Sequence, residues 1–298
     1  MNTIHILGAS HPSAQYLLKK IKKESLKYIL YSSKITLLKK KGEKANKYDD
    51  FVFNCKTGDS IISFSPIDKA AIFLEKLVEK KIYPSKTILL SSSSIYSKLK
   101  GESIDKNEYL HFKKGEDLAK NICDYSNNKT KFYILRSTMI WGDKQDKNIN
   151  FIYKFICKYH FFPLSSKCNG IRSPIHYKDL SAIIFLLINY SDSKIYRVFD
   201  IHGNENITYQ EIINFFIKNK KINGVYYALK IPYFCIFLIS IILNLLPSFS
   251  YLKKLKGIVG ALLRQKDNLI YKKNDIYKVL DYKVPISFKN RLKNTYFR

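Results

Sequence analysis

The first half of the chain alternates short apolar runs with helical stretches, and this order restricts the possible folds more than any other feature. The strand-like runs cover residues 3–8, 27–32, 51–54, 60–64, 87–93 and 131–137. Helical periodicity lies between several of these runs, at residues 13–24, 68–80 and 109–125. Strands that alternate with helices form a parallel sheet covered on both faces, because the crossover helices pack against it. The pattern therefore predicts an α/β fold with a doubly wound parallel sheet.

The second half of the chain is less regular and mostly helical. We predict helices at 148–159, 178–190 and 205–219, and short strands at 173–177 and 196–201. In the last of these helices Thr208 precedes Glu211 by three residues, which is the capping-box pattern of a helix start.

Composition excludes several classes of protein. Of 298 residues, 46% are apolar and 26% are charged, which excludes intrinsic disorder. The five cysteines have no paired spacing, so a disulfide framework and a zinc ribbon are excluded, and free thiols indicate a reducing compartment. The N-terminal residues lack a basic segment followed by a long apolar stretch, so we expect no signal peptide and a cytoplasmic location.

The net charge of +28 raises the question of nucleic-acid binding. Of the 52 basic residues, however, 46 are Lys and only six are Arg, the side chain that reads phosphates and bases best. The lysines are spread along the whole chain, which indicates compositional drift in an A/T-rich genome. Because no zinc-finger, RNP or basic-zipper pattern is present, we expect no nucleic-acid partner.

Residues 231–252 form an uncharged segment that is long enough to cross a bilayer. Pro232 and Pro247 argue against a span. The interpretation that we favour is a buried or dimer-facing helix, which leaves a homodimer open. The alternative is a membrane-surface contact through residues 231–256, supported by three lysines after the segment, Lys253, Lys254 and Lys256.

The first candidate site is the turn after the first strand. Gly8 ends that strand and a helix follows, an arrangement that can place a helix N-terminus against a pyrophosphate. The dinucleotide fingerprint has two further glycines at three-residue spacing, where this chain has His11 and Ala14. Taken alone, the turn is equally typical of an ordinary strand–helix connection.

Two further patterns have the side chains for proton chemistry and ligand binding. Tyr109 and Lys113 are four residues apart, so on a helix they share a face. An ammonium beside a phenol stabilises the phenolate, which makes a tyrosine usable as a general acid or base near neutral pH. Ser91–Ser94 and Tyr96 follow a predicted strand at the sheet edge where ligands bind in open α/β folds. A polar loop opening is the alternative interpretation of the serines.

Taken in order, these motifs resemble the extended short-chain dehydrogenase/reductase family, in its NAD-dependent epimerase/dehydratase group that acts on nucleotide sugars. Four later blocks add to the resemblance: Leu135–Gly142, Arg172–Leu180, Arg264–Asp267 and Asp275–Phe288. Together the motifs cover nearly the whole chain. The Arg172 block and the Ser/Tyr/Lys set are the most specific, and the glycine turn is the least specific.

The resemblance implies a Rossmann domain that holds NAD(P) and a smaller, mostly helical region that holds a nucleotide-diphosphate sugar. We expect the first to span residues 1–145 with a returning contribution from about 172–201, and the second to comprise 146–171 and 202–298. By position, Tyr109 matches the catalytic acid/base and Ser92 the residue that orients the reacting oxygen. Lys113 matches the residue that assists the tyrosine and bonds the nicotinamide ribose.

The resemblance also implies the binding residues. Those expected at the cofactor are Gly8, His11, Pro12, Ser33, Lys34, Ser65 and Lys113. Those expected at the substrate are Tyr96, Arg172, Arg264 and Asp267, with both arginines on the diphosphate and the aspartate near the nucleotide ribose. No third ligand accompanies His176 and Asp179 at metal spacing, so we expect a structural role for them and no metal site.

The departures from the family pattern bear on cofactor and reaction. A side chain at position 11 should crowd the backbone's approach to a pyrophosphate, so the cofactor is displaced, weakly bound or lost. The second strand ends in Tyr31–Lys34 without an acid for a ribose 2′-hydroxyl, which favours NADP over NAD. Ser93 and Ser94 stand where a dehydratase has its acid/base pair. The block around Phe161–Pro163 and Arg172 is most similar to members associated with surface-polysaccharide sugars.

We therefore expect an NAD(P)-dependent 4-keto reductase or epimerase of a nucleotide sugar. Two alternatives remain open. One is a catalytically impaired dinucleotide-binding or scaffolding protein of the same fold, because the glycine turn is altered. The other is a membrane-apposed accessory protein that uses the uncharged segment.

Overall fold

The structure, a computed structural model, describes most of the chain. The described residues are 2–98, 106–127, 129–143, 146, 148–191, 193–219, 226–246, 250–269 and 276–297. Pro247 and Asp275, the first residue of the predicted family-like tail, lie outside the described residues, as do the side chains of Lys253 and Lys254.

The described residues form strands and helices in alternation. The strands are β1 (Ile4–Leu7), β2 (Tyr28–Tyr31), β3 (Ser60–Ser63), β4 (Lys86–Ser92), β5 (Lys131–Ser137), β6 (Ile140–Trp141), β7 (Phe161–Ser165), β8 (Ile171–Arg172), β9 (Ile175–His176), β10 (Tyr196–Ile201), β11 (Ile207–Thr208) and β12 (Tyr227–Ile231). The helices are α1 (Pro12–Lys23), α2 (Ile35–Lys39), α3 (Phe51–Asn54), α4 (Ile67–Glu79), α5 (Ser94–Lys98), α6 (Lys106–Tyr125), α7 (Ile149–Tyr159), α8 (Tyr177–Asn189), α9 (Tyr209–Asn219), α10 (Tyr233–Leu245), α11 (Ser250–Leu263), α12 (Ile276–Val279) and α13 (Phe288–Tyr296), and a 3₁₀ turn, η1 (Arg264–Lys266), follows α11.

Six of the described strands form one parallel sheet in the order β10-β5-β4-β3-β1-β2. Successive side chains of a strand point to opposite faces of the sheet and pack in different hydrophobic clusters. Ile6 packs with α1 and α8 on one face of the sheet, and Leu7 packs with α4 and α6 on the other. Because both faces are covered, the strands are apolar along most of their length. The predicted α/β fold with a doubly wound parallel sheet is confirmed.

The crossover direction of the chain reverses between β1 and β3. From β1 the chain continues to β2 at one edge of the sheet, and it then returns to β3 on the other side of β1. Ligands in open α/β sheets bind outside the carboxyl ends of the strands at such a switch point. Gly8 follows β1 and Ser65 lies just beyond β3, so both residues flank this position.

Residues 51–54, predicted as a strand, form the short helix α3 instead. Phe51 and Val52 are both buried, whereas Phe53 is exposed. A strand would place Phe51 and Phe53 on the same face, since its side chains alternate. One helical turn lets two adjacent side chains reach the core, and Phe51 packs edge-on against Tyr31 with ring centroids 5.3 Å apart.

A smaller core lies beside the sheet, built mainly from α7, α9 and α13. It buries Phe216 and Leu292 in one cluster with Trp141. The predicted capping box lies at the start of α9. The Glu211 N–H donates to Thr208 Oγ1 at 3.1 Å, and the Thr208 N–H donates to Glu211 Oε2 at 2.8 Å. The predicted start of α9 is therefore confirmed.

The returning segment belongs spatially to the sheet. β10 pairs with β5 at the edge of the sheet, and α8 packs against α1. Lys86 Nζ at the start of β4 donates to three carbonyls at the end of α8, those of Leu187, Ile188 and Tyr190. The exact division of the chain into 1–145 with 172–201 and 146–171 with 202–298 stays a prediction.

Of the two forms of the expectation for residues 231–252, a buried helix is wrong, whereas a dimer-facing helix stays a prediction. The segment divides into the end of β12, the helix α10 and the start of α11. Within α10 the buried residues are Ile236, Ser240 and Leu243, and most of its other apolar side chains are exposed. Among the described residues, no helix has both the length and the apolar character that crossing a membrane requires.

A buried ion pair joins the C-terminal helix to the cover of the sheet. Arg291 of α13 donates two hydrogen bonds to the Asp179 carboxylate of α8, at 2.6 and 2.8 Å. The Tyr282 hydroxyl donates to the same carboxylate at 2.8 Å. His176 caps α8, because its Nδ1 accepts from the Lys178 N–H at 3.3 Å. The contacts of His176 and Asp179 are thus structural ones.

We expect Arg291→Ala to lower the free energy of unfolding by about 3 kcal/mol, because it leaves a buried carboxylate without its guanidinium. Lys293→Ala, at an exposed position of the same helix, should change this free energy by less than about 0.5 kcal/mol. Urea unfolding followed by far-UV circular dichroism measures both values. Equal stability of the two variants contradicts a role of the ion pair in holding α13.

Candidate active site

A cavity of about 850 Å³ opens at the carboxyl edge of the sheet. The loops after β1, β3, β4 and β5 line one side of it, and β8, α9 and α11 contribute to the other side. Nine of the residues expected from the motifs line this cavity: Gly8, His11, Pro12, Ser33, Lys34, Ser65, Ser92, Arg172 and Arg264. Four expected residues, although described, are not part of the lining: Tyr96, Tyr109, Lys113 and Asp267.

Gly8 is required by the geometry of the turn after β1. Its φ of +73° lies in the left-handed region, which side chains disfavour. A Cβ at this position would lie 2.8 Å from the carbonyl carbon of Phe64 and 2.8 Å from the nitrogen of Ser65. The turn therefore passes directly against the backbone that follows β3, and no side chain fits between them.

His11 takes the place of a fingerprint glycine without backbone strain, since its φ is −64°. Its Nδ1 accepts a hydrogen bond from the Ser13 N–H at 3.2 Å, and its ring stacks on Phe64 with centroids 5.4 Å apart. Burial lowers the pKa of His11 to about 4, although Asp143 acts in the opposite direction, so the imidazole is neutral at pH 7. A neutral ring thus caps α1 and satisfies one of its N-terminal donors.

The serines at the end of β4 divide between the protein interior and the cavity. Ser91 Oγ donates to Glu116 Oε1 at 2.6 Å in the interior. Ser92 lines the cavity, and its Oγ accepts from the Ser94 N–H at 3.1 Å. A serine hydroxyl has one donor and two acceptor lone pairs, so accepting this bond leaves the Ser92 proton for another partner. Ser92 can therefore donate to an oxygen of a ligand in the cavity.

Tyr96, expected at the substrate, does not line the cavity and is hydrogen-bonded to other side chains of the protein. Its hydroxyl accepts a hydrogen bond from Arg136 and donates to Asp200 at 3.0 Å. Arg136 also donates to Glu116, with Nη2 2.5 Å from Oε2, and its guanidinium lies 4.9 Å from the centre of the Tyr96 ring. Together with Ser91, these residues form a continuous polar network beneath the end of β4.

α6 carries the expected catalytic pair at the margin of the cavity. Phe112 lines the cavity, Tyr109 one turn earlier is half-buried, and Lys113 is exposed. The Lys113 ammonium is paired with the carboxylate of Asp117, and this hydrogen bond raises the pKa of Lys113. The Tyr109 phenol acts in the same direction after Asp117, in agreement with a shared helix face. The ammonium has three N–H donors, so pairing with Asp117 leaves two for a ribose or a phenolate.

Arg172, expected on a diphosphate, uses its guanidinium to hold a turn. It is buried and donates to the backbone carbonyls of Ile171 at 3.0 Å, of Arg264 at 2.5 Å and of Asp267. Its guanidinium carbon also lies 5.1 Å from the centre of the Tyr209 ring. These bonds use three of the five N–H donors of the guanidinium, so the expected contact with a diphosphate stays a prediction. Arg172 is thus a positioning residue for η1.

The turn η1 brings Arg264 to the cavity. Gly170 leaves room for this turn, since a Cβ there would lie 2.4 Å from the carbonyl oxygens of both Gln265 and Asp267. Gln265 Oε1 also accepts from the Ser165 N–H at 2.7 Å, which ties the turn to β7. Arg264 lines the cavity. The backbone carbonyl of Asp267 accepts a hydrogen bond from Arg172 and so belongs to the clamp that Arg172 forms on η1.

Sequence reasoning missed several lining residues, most of them aromatic: Phe64, Phe112, Trp141, Asp143, Tyr177 and Tyr209. Most of them lie where an element begins or ends. Phe64 directly follows β3, Trp141 ends β6, and Tyr177 begins α8. Position next to an element boundary at the carboxyl edge was therefore the signal that could have found them.

A second polar cluster lies towards the amino ends of the strands. His5 Nε2 is 2.9 Å from Asp59 Oδ2, and His5 Nδ1 is 3.0 Å from the Tyr31 hydroxyl. Ligand atoms of His5, Cys55 and Asp59 all lie within 4.8 Å of one another. Burial raises the pKa of the Cys55 thiol to about 12, so it is protonated at neutral pH. Since both nitrogens of His5 are already bonded, this geometry supports a structural network.

Comparison with known proteins gives no match to a family model and no match among curated proteins. Solved structures match over nearly the whole chain. UDP-glucose 4-epimerase from Thermotoga maritima, solved with UDP-glucose, is 15% identical with a TM-score of 0.66, and the match covers 99% of this chain and 98% of that chain. A variant UDP-glucuronic acid 4-epimerase from Bacillus cereus, solved with NAD and a UDP-sugar analogue, is 14% identical with a TM-score of 0.68 and the same coverage.

A dTDP-glucose 4,6-dehydratase from Bacillus anthracis, solved with NAD, is also 14% identical, with a TM-score of 0.66 over 99% of this chain and 96% of that chain. This chain has the fold of those epimerases and dehydratases. The similarity includes both the parallel sheet and the smaller region, because almost every residue of the chain is covered. The resemblance that the motifs indicated is thus confirmed at the level of the fold.

Gly8→Ala should destabilise the protein more than Gly42→Ala. Both glycines have positive φ, +73° and +77°, but nothing lies within 4 Å of a Cβ at Gly42. We expect a loss of about 1 kcal/mol at Gly42 from left-handed strain, and about 3 kcal/mol at Gly8, where backbone must also move. Urea denaturation measures both losses, and equal values contradict the close approach of β1 and β3.

Proposed function

We propose that the protein is an NAD(P)-dependent reductase or epimerase of a nucleotide-diphosphate sugar. The observation that carries the proposal is the cavity at the switch point of the sheet, lined by nine residues that the motifs identify independently. Its volume of about 850 Å³ is at the large end of the usual range for ligand pockets, as a dinucleotide and a second ligand require. Solved proteins of the same fold hold NAD or a UDP-sugar.

The Gly8 side of the cavity fits a dinucleotide. Gly8 leaves the backbone without a side chain where the turn meets the loop after β3. α1 begins at Pro12, which lines the cavity, so the positive end of the helix dipole lies beside it. Because His11 Nδ1 accepts from Ser13, its neutral ring carries the proton on Nε2. A pyrophosphate here would receive donors from the turn and from this imidazole.

The far side of the cavity fits the diphosphate of a sugar nucleotide. Arg264 supplies a guanidinium, which can donate two parallel hydrogen bonds to phosphate oxygens. Arg172 supports this role by clamping the turn that carries Arg264. We keep Asp267 as a residue near the nucleotide ribose and Tyr96 as a residue near the sugar.

The proposed chemistry needs a proton donor and an orienting hydroxyl. Bound nicotinamide supplies or accepts the hydride. Ser92 would donate to the sugar oxygen and hold it, while Tyr109 would give that oxygen its proton, so that hydride and proton together convert a carbonyl to an alcohol. Lys113, which is also paired with Asp117, would stabilise the resulting phenolate through its positive charge. In the opposite direction the same residues take up the proton.

Ser93 and Ser94 favour reduction or epimerisation over dehydration. Ser93 is buried, and its N–H donates to the Ser137 carbonyl at 3.0 Å. Neither hydroxyl titrates near neutral pH, so neither can move the proton that elimination of water requires. Transfer of hydride in one direction gives a 4-keto reductase, and its return to the opposite face gives an epimerase. We keep surface-polysaccharide sugars as the proposed substrate class.

A reducing compartment suits the cysteines. All five, each within the described part of the chain, are free thiols, and three of them, Cys55, Cys123 and Cys168, are buried. A cytoplasmic location accords with thiols in this state.

The cofactor preference rests on the end of β2. Ser33 and Lys34 line the cavity with exposed side chains. An ammonium there would pair with a ribose 2′-phosphate, whereas a 2′-hydroxyl is usually held by a carboxylate. We therefore propose NADP as the cofactor. NAD is the alternative, because it is the cofactor in the solved proteins of this fold named above.

A second candidate function is dinucleotide binding without turnover. It is favoured by the His11 ring at a glycine position and by the pairing of Lys113 with Asp117. In that case NADPH would bind, no tested nucleotide sugar would be turned over, and Tyr109→Phe would change neither result.

Tyr109→Phe should abolish turnover with little effect on binding. Loss of the proton donor should lower kcat at least about 100-fold for a 4-keto-6-deoxy sugar nucleotide, while KM stays within about twofold. Nicotinamide absorbance at steady state measures both values. Tyr125→Phe, at an exposed position of the same helix, is the matched control and should behave like the wild type. Unchanged turnover in Tyr109→Phe refutes the assignment of the acid/base.

Lys34→Ala should weaken NADPH binding about tenfold and leave NADH binding within about twofold, because only NADPH has the 2′-phosphate. Quenching of the single tryptophan, Trp141, reports binding since this residue lines the cavity. Lys39→Ala, at an exposed position of α2, is the control. An equal loss for both cofactors, or tighter binding of NADH than of NADPH by the wild type, contradicts the preference for NADP.

A further inference from the structure

α10 exposes a continuous apolar surface. Its residues Phe234, Ile242 and Leu245 are 66%, 58% and 82% exposed. Five further apolar residues on or directly after the helix are exposed as well: Phe237, Leu238, Ile239, Ile241 and Leu246. Exposed apolar patches of this extent mark interaction sites, because soluble proteins rarely leave them in contact with water.

The exposed arc is wider than the contact face of an ordinary amphipathic helix. Successive residues on a helix are about 100° apart, so Ile236, Ser240 and Leu243 form one narrow buried stripe. This stripe packs in one cluster with residues of α11. The exposed apolar residues cover an arc of about 200° on the other side. In an ordinary amphipathic helix of a soluble domain the apolar face packs against the protein. In α10 the wide apolar face points away from the protein, and only the narrow stripe packs against it.

A lipid bilayer fits this arc better than a second protein chain. A protein partner usually covers a narrow stripe of a helix, whereas a helix that lies along a bilayer surface buries its whole apolar face in the lipid. Residues 212–266, which include α10, contain nine Lys or Arg and no Asp or Glu. Lys230 is exposed shortly before α10, and Lys167 and Lys266 lie over the ring of Tyr233, its first residue. Cations around an apolar helix attract anionic headgroups.

We propose that α10 lies in the interface of a membrane that contains anionic lipids, with its axis along the surface. Its 13 residues give a length of about 20 Å, which is short of the roughly 30 Å hydrocarbon core. α11, which packs against α10, is followed by η1, whose Arg264 lines the cavity. Attachment through α10 therefore holds the substrate side of the cavity near the lipid surface. The contact does not depend on the proposed redox activity.

Vesicle flotation of the full chain tests this proposal. Phosphatidylcholine vesicles with phosphatidylglycerol are the anionic probe, and pure phosphatidylcholine vesicles are the neutral one. The wild-type chain should float with the anionic vesicles, with an affinity that falls as salt is raised. Leu245→Glu, at the 82% exposed position, should weaken binding about tenfold or more, since a charge replaces a lipid-covered leucine. Phe53→Glu, on α3 at a 78% exposed position, is the matched control and should float like the wild type.

The proposal is overturned if the wild-type chain stays in the protein fraction with both vesicles, or if Leu245→Glu floats as well as the wild type. It is also overturned if size-exclusion chromatography finds a dimer that Leu245→Glu disperses while no vesicle binds, because a second copy then covers α10. Circular dichroism verifies the fold of Leu245→Glu, with Ile242→Glu as a second variant. NADPH binding, read from Trp141, tests the proposed function separately, and flotation decides the membrane contact whatever that result.

Discussion

The contact between the backbone at Gly8 and the backbone that follows β3 determines where the site lies. A Cβ at position 8 would stand 2.8 Å from atoms of Phe64 and Ser65, so no side chain separates the two strand ends. The carboxyl ends of β1 and β3 are the switch point of the sheet. The loops after β4 and β5 line the cavity at the same edge. The arrangement of the strand ends therefore creates the cavity, and side chains such as Ser92 and Lys34 line it.

The far wall of the cavity depends on a different interaction, the clamp that Arg172 forms on η1. Three of the five guanidinium N–H donors of Arg172 are bound to backbone carbonyls. The clamp, together with the close packing at Gly170, fixes the turn and directs Arg264 to the cavity. Of the two arginines in the motifs, Arg172 thus holds the turn through its carbonyls, and Arg264 is carried to the cavity by that turn.

Periodicity predicted the parallel sheet because its strands are apolar on both faces and its helices on one. The same reasoning failed at residues 51–54, where four residues fit either period. At the site, Gly8 and Ser92 were predictable because they occupy strand ends. The clamp by Arg172 was not, since its carbonyl partners lie 92 and 95 residues away in the sequence. Likewise the apolar character of α10 is evident from sequence, but its exposure depends on which elements pack against it.

The large positive charge acts at a distance rather than inside the cavity. Among the described lining residues the cations are Lys34, Arg172 and Arg264, and Asp143 and Asp146 lie on the same walls. His11 adds no charge at neutral pH. A chain of net charge +28 nevertheless has a positive long-range potential, which raises the local concentration of anions without selecting among them. Under the proposals above, selection would then come from the few placed cations and donors of the cavity, and the affinity of α10 for a lipid surface from its apolar arc.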